Sequence, residues 1–327
     1  MESTATAART IIAILYIGMM AISIPFNLLF IMIVMIKKSY RTPVNVLVSN
    51  LSLAGLIIAA FLMPFKIYEL FNPKSGFAFP KSVDMCRFRS ITPVASIFCI
   101  ALTLVTICAD RCLVIVYPMK PYLKMTCKKA YLFIPISWLI SFVVYIQYAR
   151  YTILYNANGV ISCLPFYPEN NTTDITIRNA TGYPIRQIEL TRITFWTMHI
   201  SISFIIPIIL LVSLYSLVIY RLWISPENSQ RPSFMTKNAR ERLLRKRKVI
   251  KILIACCIVF LVNNVPYFVV FIIVEFRLLA IPNVSLVIQI VTIIYTSAIA
   301  YNPILYGYYH VRSKNALSTN CCCVHAP

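Results

Sequence analysis

Cys108-Ala109-Asp110-Arg111-Cys112-Leu113-Val114-Ile115-Val116-Tyr117-Pro118 sets an acid–arginine pair at the very end of a long apolar run, with a proline seven residues past the arginine. A guanidinium inside a membrane helix is costly, so it is rare there unless it lies near an interface or has a task. Here the apolar run breaks off into Pro118, Lys120, Pro121 and Lys124, which puts the pair near a membrane face. Adjacent Asp110 partly neutralises Arg111 and holds its rotamer. Alone, the pair reads equally well as a juxtamembrane anchor whose arginine snorkels to the headgroups. The surrounding chain has to decide.

Working outward, 59% of the 327 residues are hydrophobic and only 13% are charged. Soluble domains sit nearer about 45–50% apolar. Apolar segments fall at 10–36, 43–71, 84–117, 129–149, 192–223, 248–276 and 282–309. At about 1.5 Å rise per residue, each can cross roughly 30 Å of hydrocarbon with some tilt. The expectation is an all-α membrane protein with seven spans. The first run is too long for a cleavable signal peptide and lacks a small-residue cleavage site, so it is expected to insert as span one. Pro64, Pro207, Pro266 and Pro303 lie inside spans, where each removes a backbone donor and kinks the helix.

The formal net charge of +21 is not spread evenly. Lys37, Lys38 and Arg41 follow span one, and Lys120, Lys124, Lys128 and Lys129 follow span three. Ten basic residues lie between Arg221 and Lys251, and Arg312 and Lys314 follow span seven. The positive-inside rule then puts the amino terminus outside the cell and the tail in the cytoplasm. Charge of this kind sets topology and attracts anionic lipid or an acidic partner, so no nucleic-acid partner is expected. The 11 cysteines show no paired C-x-x-C spacing, so neither a zinc site nor any other metal or cofactor is expected.

The long segment 150–191 falls on the outside by the same rule. It holds the glycosylation acceptors Asn170, Asn171 and Asn179. Within it, Tyr151–Tyr155 and Val160–Cys163 flank Asn158-Gly159, which suits the positive φ angles of a tight turn. A β-hairpin is therefore expected. Its Cys163 is available to pair with Cys86 at the outer end of span three, where oxidising conditions preserve such a bond. The alternative is a pair of free thiols.

Three groups then combine: Asp110-Arg111-Cys112 ending span three, Pro207 with Tyr215 in span five, and Asn302-Pro303-Ile304-Leu305-Tyr306 ending span seven. With seven spans and the Cys86–Cys163 pair, the chain resembles a rhodopsin-like (class A) G-protein-coupled receptor over essentially its whole length. Asn27, Asn50-Leu51-Ser52-Leu53-Ala54 and Trp138 also stand at family positions. The resemblance implies one seven-helix domain over 1–327: residues 1–9 outside, the bundle at 10–309, and a short amphipathic eighth helix with tail at 310–327. It implies a plasma-membrane receptor, not an enzyme. Ligand binding shifts a two-state bundle and span six swings outward about Pro266. Arg111, supported by Tyr215 and Tyr306, then contacts a heterotrimeric G protein, with arrestin as a further partner. Asn302-Pro303 kinks span seven, and the basic run Arg240, Arg242, Arg245, Lys246, Arg247 and Lys248 either lines the coupling cavity or is a solvated helix end. Cys321, Cys322 and Cys323 after a basic stretch are candidates for palmitoylation.

Departures from the pattern are equally informative. Gly55 stands where the family has a sodium-holding aspartate and Ile100 where it has a serine partner, so carboxylate coordination of sodium is expected to be lost. Asn264, beside Asn263, replaces the span-six tryptophan. These two amides are expected to bond to Asn302, to span-seven backbone or to water, because an unsatisfied buried amide costs roughly 1–3 kcal/mol. Lys246 removes an acid from the foot of span six, and Ser313 stands where the eighth helix usually has an aromatic residue.

Pro93 replaces the aspartate of amine receptors and Thr296 the lysine of opsins, which argues against both ligand classes. Helix phase nominates Lys66, Glu69, Arg89, Ser96, His199, Ser203, Tyr267, Phe271, Gln289 and Thr292 for the ligand pocket. Lys66 and Glu69 could instead pair with each other, and His199 could instead pack. The hairpin and the mixed-charge rim most resemble peptide-binding members. A lipid or chemosensory ligand, constitutive activity, and a non-coupling receptor that scavenges or dimerises stay open. A transporter is disfavoured, since no internal repeat and no mid-depth charge is seen.

Overall fold

The computed structural model describes residues 2–72, 82–117, 120–157, 160–165, 175–178, 184–188, 190–221, 237–276, 278–280 and 283–300. Seven α-helices hold most of them. α1 spans Glu2–Ile36, α2 Pro43–Phe71, α3 Val83–Val116 and α4 Cys127–Tyr151. α5 is built of Leu190–Ile200, Ser201–Ile205 and Ile206–Ile219; α6 is Lys237–Glu275 and α7 Val284–Ala300. Six are long and apolar enough to cross a membrane, and α7 is a shorter apolar helix among the described residues.

Local chemistry explains where these helices begin. Thr42, Ser82 and Thr126 are extended N-caps whose side chains accept the backbone N–H of Asn45, Met85 and Lys129. Each satisfies one of the donors that a helix start leaves unpaired. α1 starts earlier than its apolar run predicts, because Thr4-Ala5-Thr6-Ala7-Ala8 carries the helix back to Glu2. α6 likewise starts at Lys237, so the basic run Arg240–Lys248 rides on the helix. The side chains of that run lie outside the described residues.

Two helices open into a π-helical turn just before a proline: Ile58–Leu62 ahead of Pro64, and Ser201–Ile205 ahead of Pro207. Proline cannot donate to the carbonyl four residues back and its ring crowds that carbonyl; a π turn relieves both. Pro25, Pro93, Pro135 and Pro266 stay inside regular helix.

After α4 the chain forms β1 (Thr152–Ala157) and β2 (Val160–Pro165), antiparallel with Ala157 opposite Val160 and Leu154 opposite Cys163. A second ribbon, β3 (Ile175–Arg178) with β4 (Pro184–Ile188), follows and has no counterpart in the sequence reading. Cys163 is bonded to Cys86 in the first turn of α3, with Cα atoms 5.6 Å apart. The disulfide therefore ties β2 to the start of α3.

Burial is arranged as a membrane demands. Leu139, Leu132 and Ile14 are 65%, 62% and 61% exposed, whereas Asn27 and Asn50 are 1% exposed. Large apolar side chains face outward, toward lipid, and polar ones face the bundle axis, where other helices can bond them. Between these layers lie apolar cores such as Val46, Leu47, Leu51, Ile107 and Ala130, and the cluster of Tyr16, Ile58, Met63 and Ile299.

Candidate functional site

The site is best built as three tiers, from the Arg111 end to the disulfide end. In the first, Asp110 is 3% exposed and pairs with its neighbour Arg111. Its other carboxylate oxygen accepts the backbone N–H of Met125, in the α3–α4 connection, at 2.9 Å. Arg111 is partly exposed. The carboxylate thus holds both the arginine and the connecting loop, and charge-assisted bonds of this kind are about twice as strong as neutral ones. Tyr215 packs with the apolar cores on either side, near Ile107 and near Cys108, Leu211 and Phe260. Cys112 is buried against Val218, with Ile254 of α6 beside it. Asn302, Pro303 and Tyr306 lie outside the described residues.

The middle tier is a polar crossing. Asn50 of α2 donates to the Thr103 hydroxyl of α3 at 2.9 Å and accepts the indole N–H of Trp138 of α4 at 2.9 Å. Ser137 lies 3.4 Å from the same amide nitrogen. One side chain therefore locks three helices together. Across the bundle, Asn27 donates to the Ser23 and Ile299 carbonyls, both within 3.0 Å, tying α1 to α7.

Gly55 sits against this second knot. A Cβ there would lie 3.2 Å from Asn27 Oδ1 and 3.4 Å from the Ile299 Cβ, so glycine lets the helices close where the resemblance implies an acid. The Asn264 amide nitrogen donates to the Phe260 carbonyl one turn back, at 2.6 Å; Asn302, one of its expected partners, lies outside the described residues. Nearby, a cavity of about 40 Å³ is lined by Ile58, Ile100, Asn264, Tyr295 and Thr296 among others. It has room for roughly one or two waters.

The third tier lies at the disulfide end. Lys66 Nζ is 3.0 Å from Glu69 Oε2, and the other oxygen of Glu69 pairs with Arg89 of α3. The expected i, i+3 pair is present, and Arg89 joins it. Arg89 also stacks over the Phe65 ring, 4.9 Å from its centroid. Deeper lies an aromatic cluster. The Tyr145 hydroxyl is 2.7 Å from His199 Nδ1 and 2.5 Å from the Ser203 hydroxyl, binding α4 to the π turn of α5. Tyr148 stacks on Phe195, Trp196 meets Phe271 edge-on at 4.5 Å, and Tyr267 stacks on Tyr295 at 4.3 Å.

The pocket residues read from helix phase therefore separate. Lys66, Glu69 and Arg89 form one charged cluster; His199, Tyr267 and Phe271 share the aromatic one. The Ser96 and Thr292 hydroxyls donate to Thr92 and Ile288 of their own helices. Gln289 accepts from the Tyr16 hydroxyl of α1 at 3.0 Å. Sequence reading missed Tyr16, Tyr145, Tyr148, Trp196 and Tyr295. A usable signal existed in these large amphipathic rings spaced along apolar helices, since buried Tyr and Trp usually need a polar partner. Trp196 is the exception: its buried indole N–H has no partner among the described residues.

Such a bundle, apolar outside, with polar knots at its axis and a disulfide-tied ribbon at one end, is that of a multi-pass membrane receptor. The chain belongs to the 7 transmembrane receptor (rhodopsin family), whose family model matches residues 26–306. Among similar proteins, the dog substance-K receptor is 24% identical over 315 residues, covering 94% of this chain and 74% of that receptor. The tachykinin-like peptides receptor 99D of Drosophila melanogaster is 26% identical over 313 residues, covering 92% of this chain and 55% of that receptor. The rat neuromedin-K receptor is 26% identical over 254 residues, or 77% of this chain and 50% of that receptor. The chain thus spans about half to three quarters of the length of these relatives.

Proposed function

We propose that this chain is a cell-surface receptor that a peptide activates from outside and that in turn activates a heterotrimeric G protein. One observation carries the reading: Asp110 holds Arg111 and the Met125 amide together at one end of α3. That arrangement is a latch. Opening it frees a guanidinium to leave its neighbour and meet a partner's backbone or carboxylate, as α6 moves outward about Pro266. Tyr215 stands near that end of α3, and Asn302, Pro303 and Tyr306 of the seventh span complete the switch. The name of the Drosophila relative, a receptor for tachykinin-like peptides, favours a peptide ligand.

The rest of the topology follows the charge. The amino terminus, Asn170, Asn171, Asn179 and the disulfide-tied ribbon β1–β2 face outside, where the asparagines are glycosylated and the ribbon roofs the ligand mouth. The basic segments face the cytoplasm and anionic lipid, and an eighth helix lies on the membrane with Cys321, Cys322 and Cys323 palmitoylated. Residues 1–327 act as one domain, and arrestin shares the G protein's face. Gly55 favours a second feature of the same function: with glycine where the family has a sodium-holding aspartate, the sodium brake is absent and basal signalling is raised.

The test is G-protein activation in cells expressing the wild type and Arg111→Ala at equal surface density, basally and with a panel of tachykinin-like peptides. The expected result is a basal or peptide-evoked signal that the substitution abolishes. A clear signal that survives Arg111→Ala would overturn the role given to the arginine.

A further inference from the structure

At the outer mouth, two cations share a single carboxylate. Glu69 gives one oxygen to Lys66 and the other to Arg89, and the three side chains are 33%, 23% and 20% exposed. They are partly enclosed and partly exposed. An ammonium has three donors, and among the described residues Glu69 takes one of those on Lys66. Among the described residues the cluster sets two cations against one carboxylate, and a half-buried excess of positive charge is stabilised by an anion that can enter.

The cluster is also held in place. Lys66 and Glu69 sit one turn apart on the rigid end of α2, and Arg89 lies three residues beyond Cys86, whose disulfide anchors α3 to β2. The Phe65 face fixes the guanidinium from below. Positions this fixed lose little entropy when a ligand arrives.

The geometry points to an anionic ligand: a peptide with a carboxylate that bridges Lys66 and Arg89, taking over the contacts that Glu69 makes in the unliganded receptor. Glu69 is then an internal stand-in for the ligand. Its planar O–C–O group, one oxygen to each cation, is the template for what the site accepts. This inference rests on the peptide-receptor reading and adds the chemistry of the peptide. A neutral peptide would leave the Lys66–Glu69–Arg89 cluster as it is and gain nothing from it.

The test uses the full chain in lipid nanodiscs and two pools of hexapeptides with amidated ends. In one pool every peptide carries one glutamate; in the other a glutamine takes its place. The readout is the pool concentration that half-saturates the rise in melting temperature. On the wild type the glutamate pool should act at about tenfold lower concentration, as one charge-assisted contact provides. Lys66→Met should bring the two pools to equality. Glu69→Gln removes the internal competitor and should widen the gap, a gain that misfolding cannot mimic. Equal action of both pools on the wild type, or a preference that survives Lys66→Met, would overturn the anionic inference while leaving the peptide receptor intact. Stabilisation by neither pool, or only by an anionic lysophospholipid, would overturn the peptide reading and this inference with it.

Discussion

Asp110→Asn offers the sharpest perturbation of the latch. The substitution keeps the shape of the side chain and removes its charge. In the wild type the carboxylate makes two charge-assisted contacts, one to Arg111 and one to the Met125 N–H at 2.9 Å. Hydrogen bonds to a charged group contribute roughly 1.5–3 kcal/mol and neutral ones roughly 0.5–1.5. Each contact therefore weakens by about 1 kcal/mol, and the closed arrangement loses about 2 kcal/mol relative to the open one. At 1.4 kcal/mol per tenfold, that is roughly a 30-fold shift. A receptor with about 1% of its molecules open, within the usual range for a minor state, would move to about a quarter open. The assay is basal nucleotide exchange on the G protein in membranes, at receptor densities matched by surface labelling. Asp110→Ala, which removes both contacts, should go further. Basal exchange within twofold of wild type, in receptor that reaches the surface normally, would refute the latch.

Three further outcomes follow from the packing. Asn50→Ala should destabilise the bundle by about 1–3 kcal/mol, since contacts between helices in a membrane average roughly 0.6 and reach about 1.7 kcal/mol each; a double-mutant cycle with Trp138→Phe in purified receptor should show positive coupling for the 2.9 Å bond between them. Cys86→Ser and Cys163→Ser should each abolish surface expression to the same extent as the pair together, because closing a chain separation of 77 residues is worth about 4.5 kcal/mol on the loop-entropy scale. Tyr145→Phe removes both the His199 and Ser203 contacts and should lower the melting temperature by a few degrees, with His199→Ala in the same background adding less than it does alone.

Much of the molecule was legible along the chain. Spans show as apolar length, and the α2, α3 and α4 starts as Thr42, Ser82 and Thr126 before a helical run. The disulfide was legible because only a few cysteines fall at one end of the spans and next to a turn. Asp110 and Arg111 stood out because charge at the end of an apolar run needs a reason. The pocket was less legible. Ser96 and Thr292 bond their own preceding turns, and helix phase does not reveal that choice. Asn264 likewise bonds its own preceding turn through its amide nitrogen. The β3–β4 ribbon escaped because Ile175–Arg178 and Pro184–Ile188 are too short to give a clear alternation.

What the sequence determined by itself was which residues avoid water, which stretches form apolar helices, and which family the chain belongs to. Those properties depend on each residue's own solvent preference, summed along a single helix, and need no neighbour. Tertiary structure alone decided the partners. Asn50 meets Thr103 and Trp138, 53 and 88 residues away; Glu69 meets Arg89 across two helices; and Gly55 meets Asn27 and Ile299. Each residue along a helix turns the side chain by about 100° and raises it about 1.5 Å, so a shift of one residue re-aims every contact. The π turns ahead of Pro64 and Pro207 make such a shift, and only the packed bundle fixes where its effects fall.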